Sequence, residues 1–230
     1  MKNKIFAIIL ARGGSKGIKN KNLKKINNKP LLKWSIDHCK NSKKIKETWL
    51  SSDSLKILKL AKDNGINVIK RPKELALDTS SSEDAWMHAI NFIERKKKTF
   101  DIVLAIQPTS AIRGKKDFDK AIQLFLKKKY DSLFSCSEVS DYFVWTENSK
   151  KLKALYDFKK RKPRQFLTKK YLENGSFFIF DKNKFKKFKN RFFGKIGKYV
   201  QEFYKSFQID EYNDMIITSS ILKNIKNFKN

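Results

Sequence analysis

The chain has 230 residues, 40% of them hydrophobic and 13% aromatic, which is enough for one domain with a proper core. Its formal charge is +30, from 53 basic and 23 acidic side chains, a balance that by itself suits a polyanion partner such as nucleic acid or a membrane surface. The two cysteines, Cys39 and Cys136, lie far apart with no Cys-x-x-Cys, which excludes a disulfide framework and a thiolate zinc site, and no apolar run is long enough to span a bilayer.

Met1-Lys-Asn-Lys leads into an unbroken apolar run, Ile5 to Ala11. The run is at the lower limit for a signal-peptide core and ends in Arg12 without a cleavage site, so it reads as a first strand in a cytoplasmic protein. Continuous rather than alternating hydrophobicity marks a strand of a parallel sheet, covered on both faces. The loop after it holds Gly13, Gly14 and Gly17 among Arg12, Ser15, Lys16 and Lys21. Glycines let backbone N–H groups approach a polyphosphate closely, and the cations supply charge. Pro30 opens a helix with Leu31, Leu32, Ile36 and Cys39 at helical spacing. Ile45 to Leu50 predicts a second strand, Ser54 to Asn64 a helix stopped by Gly65, and Val68-Ile69 a short third strand. Thr79 to Asp84 is a cap signal for a helix through Glu94.

Ile102 to Ile106 is another apolar strand, Phe118 to Phe125 an amphipathic helix and Ser132 to Cys136 a further strand. Strand and helix alternate as in βαβ units, so the expected fold is α/β, a doubly wound, mostly parallel sheet. Residues 141–170 break that rhythm, with short β-like pieces (Tyr142–Trp145 and Leu152–Tyr156) between charged turns. They read as a protruding β arm within a single domain spanning residues 1–230. Ser176 to Phe180 predicts a strand and Asn213 to Ile225 a last helix.

The positive charge is mostly lysine, spread over the whole length beside many Asn, Ile and Phe, all residues with A/T-rich codons. It reads as solvated helix faces rather than a nucleic-acid stripe. Arginine occurs only at positions 12, 71, 95, 113, 161, 164 and 191. A retained arginine in such a chain is a candidate for bidentate anion recognition, which lysine does badly. His38 and His88 have no partners at metal spacing and read as structural, as do both cysteines.

In an open α/β sheet, ligands bind beyond the carboxyl ends of the strands. The polar groups there are Arg12 to Asn22, Ser51-Ser52-Asp53, Arg71 and Gln107 to Arg113, all expected on one rim. Four ordered motifs lie among them or beyond: Leu10-Ala11-Arg12-Gly13-Gly14-Ser15-Lys16-Gly17 with Lys21-Asn22; Arg71-Pro72-Lys73-Glu74-Leu75-Ala76-Leu77-Asp78-Thr79-Ser80-Ser81; Gln107-Pro108-Thr109-Ser110-Ala111-Ile112-Arg113; and Arg164-Gln165 with Asn174-Gly175-Ser176. In these motifs the sequence resembles the acylneuraminate cytidylyltransferases, which make CMP-sialic acids and related CMP-nonulosonic acids.

The resemblance implies a Rossmann-like nucleotidyltransferase that moves CMP from CTP to the anomeric hydroxyl of a nonulosonic acid and releases pyrophosphate, for surface glycans such as lipopolysaccharide or capsule. It implies CTP contacts from Arg12, Gly13, Ser15, Lys16, Lys21, Asn22, Arg71 and Ser82. It implies sugar contacts from Gln107, Arg164 and Asn174, and Phe192 and Phe193 are candidates for the sugar pocket or an interface. Arg12, Lys21 and Asp210 are the expected catalytic set. The family's metal motif, Asp-x-Asp, corresponds here to Gln208-Ile209-Asp210, so Mg²⁺ is expected on Asp210 with Gln208 as a possible second ligand, while Asp214 belongs to the start of the last helix. A homodimer joined through the β arm is also implied.

Three alternatives remain at this point. A CMP-3-deoxy-octulosonate synthetase resembles the chain less, because that family has Ser-Thr-Arg where Ser15-Lys16-Gly17 stands. A non-catalytic, basic nucleic-acid-binding protein would lack a convergent triphosphate rim. A catalytically dead relative stays open because of Gln208.

Overall fold

The computed structural model describes residues 3–225. Strand β1 (Ile5–Leu10) is buried on both faces, as its uninterrupted hydrophobicity predicts. A minimal hairpin, β2 (Lys25–Ile26) and β3 (Lys29–Pro30), carries the chain from the glycine loop into α1 (Leu31–Lys40). Then follow β4 (Glu47–Ser52), α2 (Leu55–Asp63) and β5 (Asn67–Lys70). Gly65, at φ +69°, takes the left-handed turn that ends α2. The loop after β5 is tightened by a short 3₁₀ turn, Lys73–Leu75, before α3 (Ser82–Arg95). Ser81 caps α3 by accepting a hydrogen bond from the Asp84 amide at 3.0 Å.

The second half runs β6 (Ile102–Ile106), α4 (Asp117–Lys128) and β7 (Ser132–Glu138), then the hairpin β8 (Trp145–Asn148) and β9 (Lys151–Ala154). It closes with β10 (Tyr171–Asp181), α5 (Lys182–Phe188), β11 (Ile196–Gln201) and α6 (Tyr212–Lys223). Among the described residues the main sheet has seven strands, in the order β11-β7-β10-β6-β1-β4-β5. Only β10 runs against the others, so the sheet is mostly parallel as expected.

Alternate residues of β1 feed two cores. Ile5, Ala7 and Ile9 pack with α1, α2 and α4, while Phe6 and Ile8 pack with α3 and α5. A third small cluster (Ile18, Ile26, Leu31, Ala111 and Ile209) clamps the glycine loop against α6, with Met215 and Leu222 beside it.

The departures from expectation have local causes. β11 and α5 are absent from the sequence reading. The buried positions of β11 are Gly197 and Gln201, so no apolar alternation marks it. In α5, only Phe185 is buried within a lysine-rich heptapeptide, whose start is fixed by Asp181 accepting from the Lys184 amide at 2.8 Å. β10 begins at Tyr171 rather than Ser176 and shifts register between Glu173 and Phe178. The arm strands pair as Trp145–Asn148 with Lys151–Ala154, shifted toward the hairpin turn from the expected spans, so that the first meets Tyr142–Trp145 only at Trp145 and the second starts one residue before Leu152.

Candidate active site

Because β1, β4, β5 and β6 run in parallel, the loops that follow them meet on one edge. There the loops after β1, β5 and β6 line a cleft of about 610 Å³, while Ser51, Ser52 and Asp53 after β4 stay outside its lining. Among its lining residues are Arg12, Ser15, Lys16, Gly17, Lys21, Asn22, Arg71, Ser82, Gln107, Gln208 and Asp210. Eleven positions from the loops after β1, β5 and β6, a 3₁₀ turn at Lys21–Leu23, the start of α3 and the segment before α6 thus share one space, although Lys21 and Asp210 are 189 residues apart in sequence.

On one wall are the cations. Arg12 Nη2 lies 2.8 Å from Asp78 Oδ1, and Lys16 Nζ lies 3.0 Å from Asp78 Oδ2. Lys21 Nζ donates to the Ile209 carbonyl at 2.7 Å and to Asp210 Oδ1 at 2.8 Å. Gly17 makes this closeness possible, since a Cβ there would lie 2.3 Å from the Asp210 carbonyl oxygen. The Asp210 segment is tied down from two sides. The Ile209 amide donates to the Thr109 carbonyl at 3.0 Å, and Asp214 Oδ2 accepts from the Asp210 and Glu211 amides at 2.9 and 2.8 Å. Asp214 therefore caps α6, as its sequence position predicts.

Asn22 is 5% exposed, and its Nδ2 donates to the Arg12 carbonyl at 3.0 Å. Its Oδ1 is buried with no hydrogen-bond partner. A buried amide oxygen left unpaired costs on the order of 1–3 kcal/mol unless something donates to it. The residue that carries it lines the cleft. Arg71, also in the cleft lining, is buried, with Nε donating to Ser51 Oγ at 3.2 Å and Nη2 to the Ser51 carbonyl at 2.6 Å. Burial pulls its pKa down to about 10, so it remains a cation at neutral pH.

Gln107, Thr109 and Gln208 face each other at the other end. Thr109 Oγ1 donates to Gln208 Oε1 at 3.4 Å. A Cβ on Gly175 would lie 2.8 Å from both Gln107 Oε1 and Gln208 Nε2, and Gly175 holds φ +59°. This residue thus gives the two carboxamides their room. Arg113 fixes the Gln107 backbone from beneath. Its buried guanidinium donates to the Gln107 carbonyl at 2.8 Å, to Ser176 Oγ at 2.8 Å and to Ser35 Oγ at 2.9 Å. It is a staple of the core, not part of the rim.

Several expected site residues lie elsewhere. Gly13 does not line the cleft, and its amide donates to Asp53 Oδ1 at 2.8 Å. Asn174 is 1% exposed, and its amide is consumed internally by Gln201, Ser135 and the Ser176 N–H at 3.0, 2.6 and 3.2 Å. Phe193 is buried and Phe192 packs edge-on to Phe134 and Phe178, so both belong to the core. Arg191 joins them by gripping Glu83 through two hydrogen bonds, at 2.6 and 3.0 Å, over the Trp86 and Phe178 rings. Arg164 is 80% exposed, lies 3.3 Å from Asp141, and lines a separate depression beside the arm.

The sequence reading placed Asp53 on the rim, where it holds the Gly13 amide outside the cleft lining, and it missed the role of Asp78 and a buried polar chain under the cleft. In that chain Lys205 pairs with Asp117 at 3.1 Å, Gln201 donates to Asp117 at 2.9 Å, and Asn174 donates to Gln201. Asp78 stood inside a quoted motif, but a lone loop carboxylate carries no signal of its partners. Burial raises the Cys39 and Cys136 thiols to about 12 and about 11, so neither is a nucleophile at neutral pH. Among the described residues no group of three or more His, Cys, Asp or Glu gathers around a metal position, and no helix is long and apolar enough to cross a membrane.

Comparison with known proteins gives concordant results. A family model described as Cytidylyltransferase matches residues 6–230. The chain is 38% identical over 146 residues to N-acylneuraminate cytidylyltransferase A of Danio rerio, covering 64% of this chain and 33% of that one. It is 32% identical over 228 residues to post-translational flagellin modification protein B of Campylobacter coli, covering 96% of each. It is 33% identical over 185 residues to pseudaminic acid cytidylyltransferase of Campylobacter jejuni subsp. jejuni, covering 78% of each. The chain thus spans about a third of the zebrafish relative and nearly all of the flagellin-modification relative. Among solved structures, CMP:2-keto-3-deoxy-manno-octonic acid synthetase complexed with CTP superposes with a TM-score of 0.70 at 13% identity, covering 96% of this chain and 99% of that one, a likeness of fold alone.

Proposed function

Because the chain belongs to the cytidylyltransferase family, we propose that it transfers CMP from CTP to the anomeric hydroxyl of a nonulosonic acid, a nine-carbon 2-keto acid of the sialic or pseudaminic type. The observation that carries this reading is the pairing, within one cleft, of three cations with the unsatisfied Asn22 Oδ1. Cations in a glycine loop suit a triphosphate, and a lone buried acceptor suits the exocyclic amine of cytosine. Uracil offers a carbonyl there and would leave that acceptor unpaired. The names of the relatives support the acceptor class.

The reaction needs no covalent enzyme intermediate. The anomeric oxygen of the acceptor attacks the α-phosphorus in line. The new P–O bond forms as the bond to the β-phosphate oxygen breaks, pyrophosphate leaves with the electron pair, and the hydroxyl proton passes to solvent water. Arg12 and Lys16 neutralise and orient the phosphates, and Ser15 adds a small donor. Lys21 stands between the phosphate loop and Asp210. Gln107 faces the acceptor. With charge developing on the bridging oxygen, fixed cations act where the field changes most.

A magnesium ion fits Asp210. Its carboxylate lines the cleft, and only Oδ1 is engaged, by Lys21. One carboxylate with phosphates and water is an ordinary magnesium set. Gln208 adds at most a neutral oxygen already met by Thr109. Bound there, the ion would stabilise the leaving pyrophosphate.

The arm supports a homodimer. Trp145, Leu152, Leu155, Phe158 and Phe166 are exposed on or beside it, a concentration that a second copy would cover. A partner's arm would also bring Arg164 of the partner subunit to a cleft that this chain's own Arg164 does not reach. Together with two buried free thiols, the reading fits a cytoplasmic enzyme.

The test is pyrophosphate release from CTP with a panel of sialic, legionaminic and pseudaminic acids and 3-deoxy-octulosonate. Release is expected with at least one nine-carbon acid and not with the eight-carbon acid. Release with the eight-carbon acid alone, or with none, overturns the proposal.

A further inference from the structure

The loop between β5 and α3 presents a carboxylate to the phosphate-binding cations. Asp78 lies at the tip of a turn anchored at both ends. Ser80 Oγ donates to the Glu74 carbonyl at 2.7 Å and accepts from the Leu77 amide at 3.1 Å, and Ser81 caps α3. From that turn, Asp78 reaches Arg12 with one oxygen and Lys16 with the other, at 2.8 and 3.0 Å. The adjoining Leu77 carbonyl takes Arg12 Nη1 at 3.0 Å. Both terminal nitrogens of Arg12 and the ammonium of Lys16 are therefore turned toward this one loop. They are the same donors that the CTP reading assigns to the triphosphate, and a nitrogen turned to Asp78 is turned away from a phosphate oxygen. The pairing also holds the Asp78 carboxyl below the usual carboxylate range, with the Lys16 hydrogen bond as the largest cause.

We propose that Asp78 is an exchangeable counter-anion of the triphosphate site. It holds Arg12 and Lys16 in the cleft, yields them when the triphosphate of CTP enters, and retakes them as pyrophosphate leaves. The inference rests on the CTP reading. Two solvent-exposed ion pairs are individually weak and screened by salt, so the exchange is a modest and reversible bias rather than a lock. Its use is symmetric. The anion that slightly opposes substrate entry also opposes retention of the product, and pyrophosphate is the smaller ligand, held by those cations without help from a base or ribose.

Asp78→Asn keeps the shape and removes the charge. Calorimetry on both proteins, with CTP, pyrophosphate and cytidine as probes and with and without magnesium, tests the proposal beside steady-state kinetics. Affinity for CTP and for pyrophosphate is expected to rise by roughly two- to ten-fold in the variant, less at high salt, with cytidine unchanged. KM for CTP falls, and kcat falls with it because pyrophosphate leaves more slowly. Unchanged or weaker binding of CTP and pyrophosphate overturns the proposal. So does weakening confined to magnesium, which would make Asp78 a metal ligand, and so does an equal change for cytidine, which would make it a support of the loop. If neither protein binds CTP, the CTP reading falls as well. If CTP binds tightly and is indifferent to residue 78, only the counter-anion falls.

Discussion

Among the described residues Arg12 is bonded through its side chain only to the Leu77 carbonyl and Asp78, both on an exposed loop. Arg12→Ala therefore removes the proposed phosphate ligand without opening the core. A preorganised charge of this kind is worth about 10²–10³ in rate, so kcat/KM for CTP should fall by that order while the thermal midpoint stays put. Retained activity in steady-state kinetics would refute the phosphate assignment. At this scale the sequence was most legible where a residue's job needs a rare type. Arg12 stood out among lysines, and Asn22 beside Lys21, and both line the cleft. It was least legible where type and position serve equally well in a core. Asn174 has the amide of a ligand contact and spends it internally, donating to Gln201 and accepting from Ser135 and the Ser176 N–H. Phe192 and Phe193 look like pocket walls and pack inward. No single-residue signal separates these uses, because the difference lies in partners contributed by distant strands.

Between elements, the closest constraint is the contact of the glycine loop with the segment before α6. Gly17→Ala would place a Cβ 2.3 Å from the Asp210 carbonyl oxygen. Backbone must move, and overpacking of this kind costs about 1–3 kcal/mol. The melting midpoint should drop by several degrees, at about 2–4 °C per kcal/mol for a chain of this size, and CTP affinity should fall with it. An unchanged midpoint and affinity would show that the two segments are not rigidly joined. The parallel strands β1 and β6 were readable because burial on both faces writes continuous apolar runs, whereas β4 and the edge strand β5 showed only the short apolar pieces Trp49-Leu50 and Val68-Ile69. β11 and α5 escaped because an edge strand and a short surface helix bury too little side chain to leave a period.

At the scale of the whole molecule, charge and pH separate two kinds of group. Partly accessible and packed edge-on to Phe118, His38 has its pKa pulled from 6.5 to about 4, chiefly by burial and then by Arg113. The unfolded chain takes this proton near its ordinary value and the folded chain only near the lowered one. Stability therefore falls as pH drops between those values, by up to about 3 kcal/mol. His38→Gln should flatten that slope in denaturant titrations from pH 7 to 4.5, and an equally steep slope in the variant would contradict the assignment. The exposed apolar arm makes a second prediction, a dimer by sedimentation equilibrium that becomes a monomer when Trp145 and Phe158 are both changed to Ser. A monomer in the unmodified protein would remove the arm's proposed role.

The net charge of +30 invited a nucleic-acid reading. Arg12, Lys16 and Lys21 gather in the cleft, where the proposed function gives them a smaller anion, while lysines such as Lys56, Lys59 and Lys62 lie exposed along α2. What joins these scales is one reaction at one rim, and phosphorus NMR observes it directly. With CTP, magnesium and a nonulosonic acid, the account predicts equimolar pyrophosphate and a single new phosphodiester resonance of a CMP-sugar, dependent on both substrates and abolished in Arg12→Ala. CTP left intact with every acid, or merely hydrolysed to CMP, would contradict it.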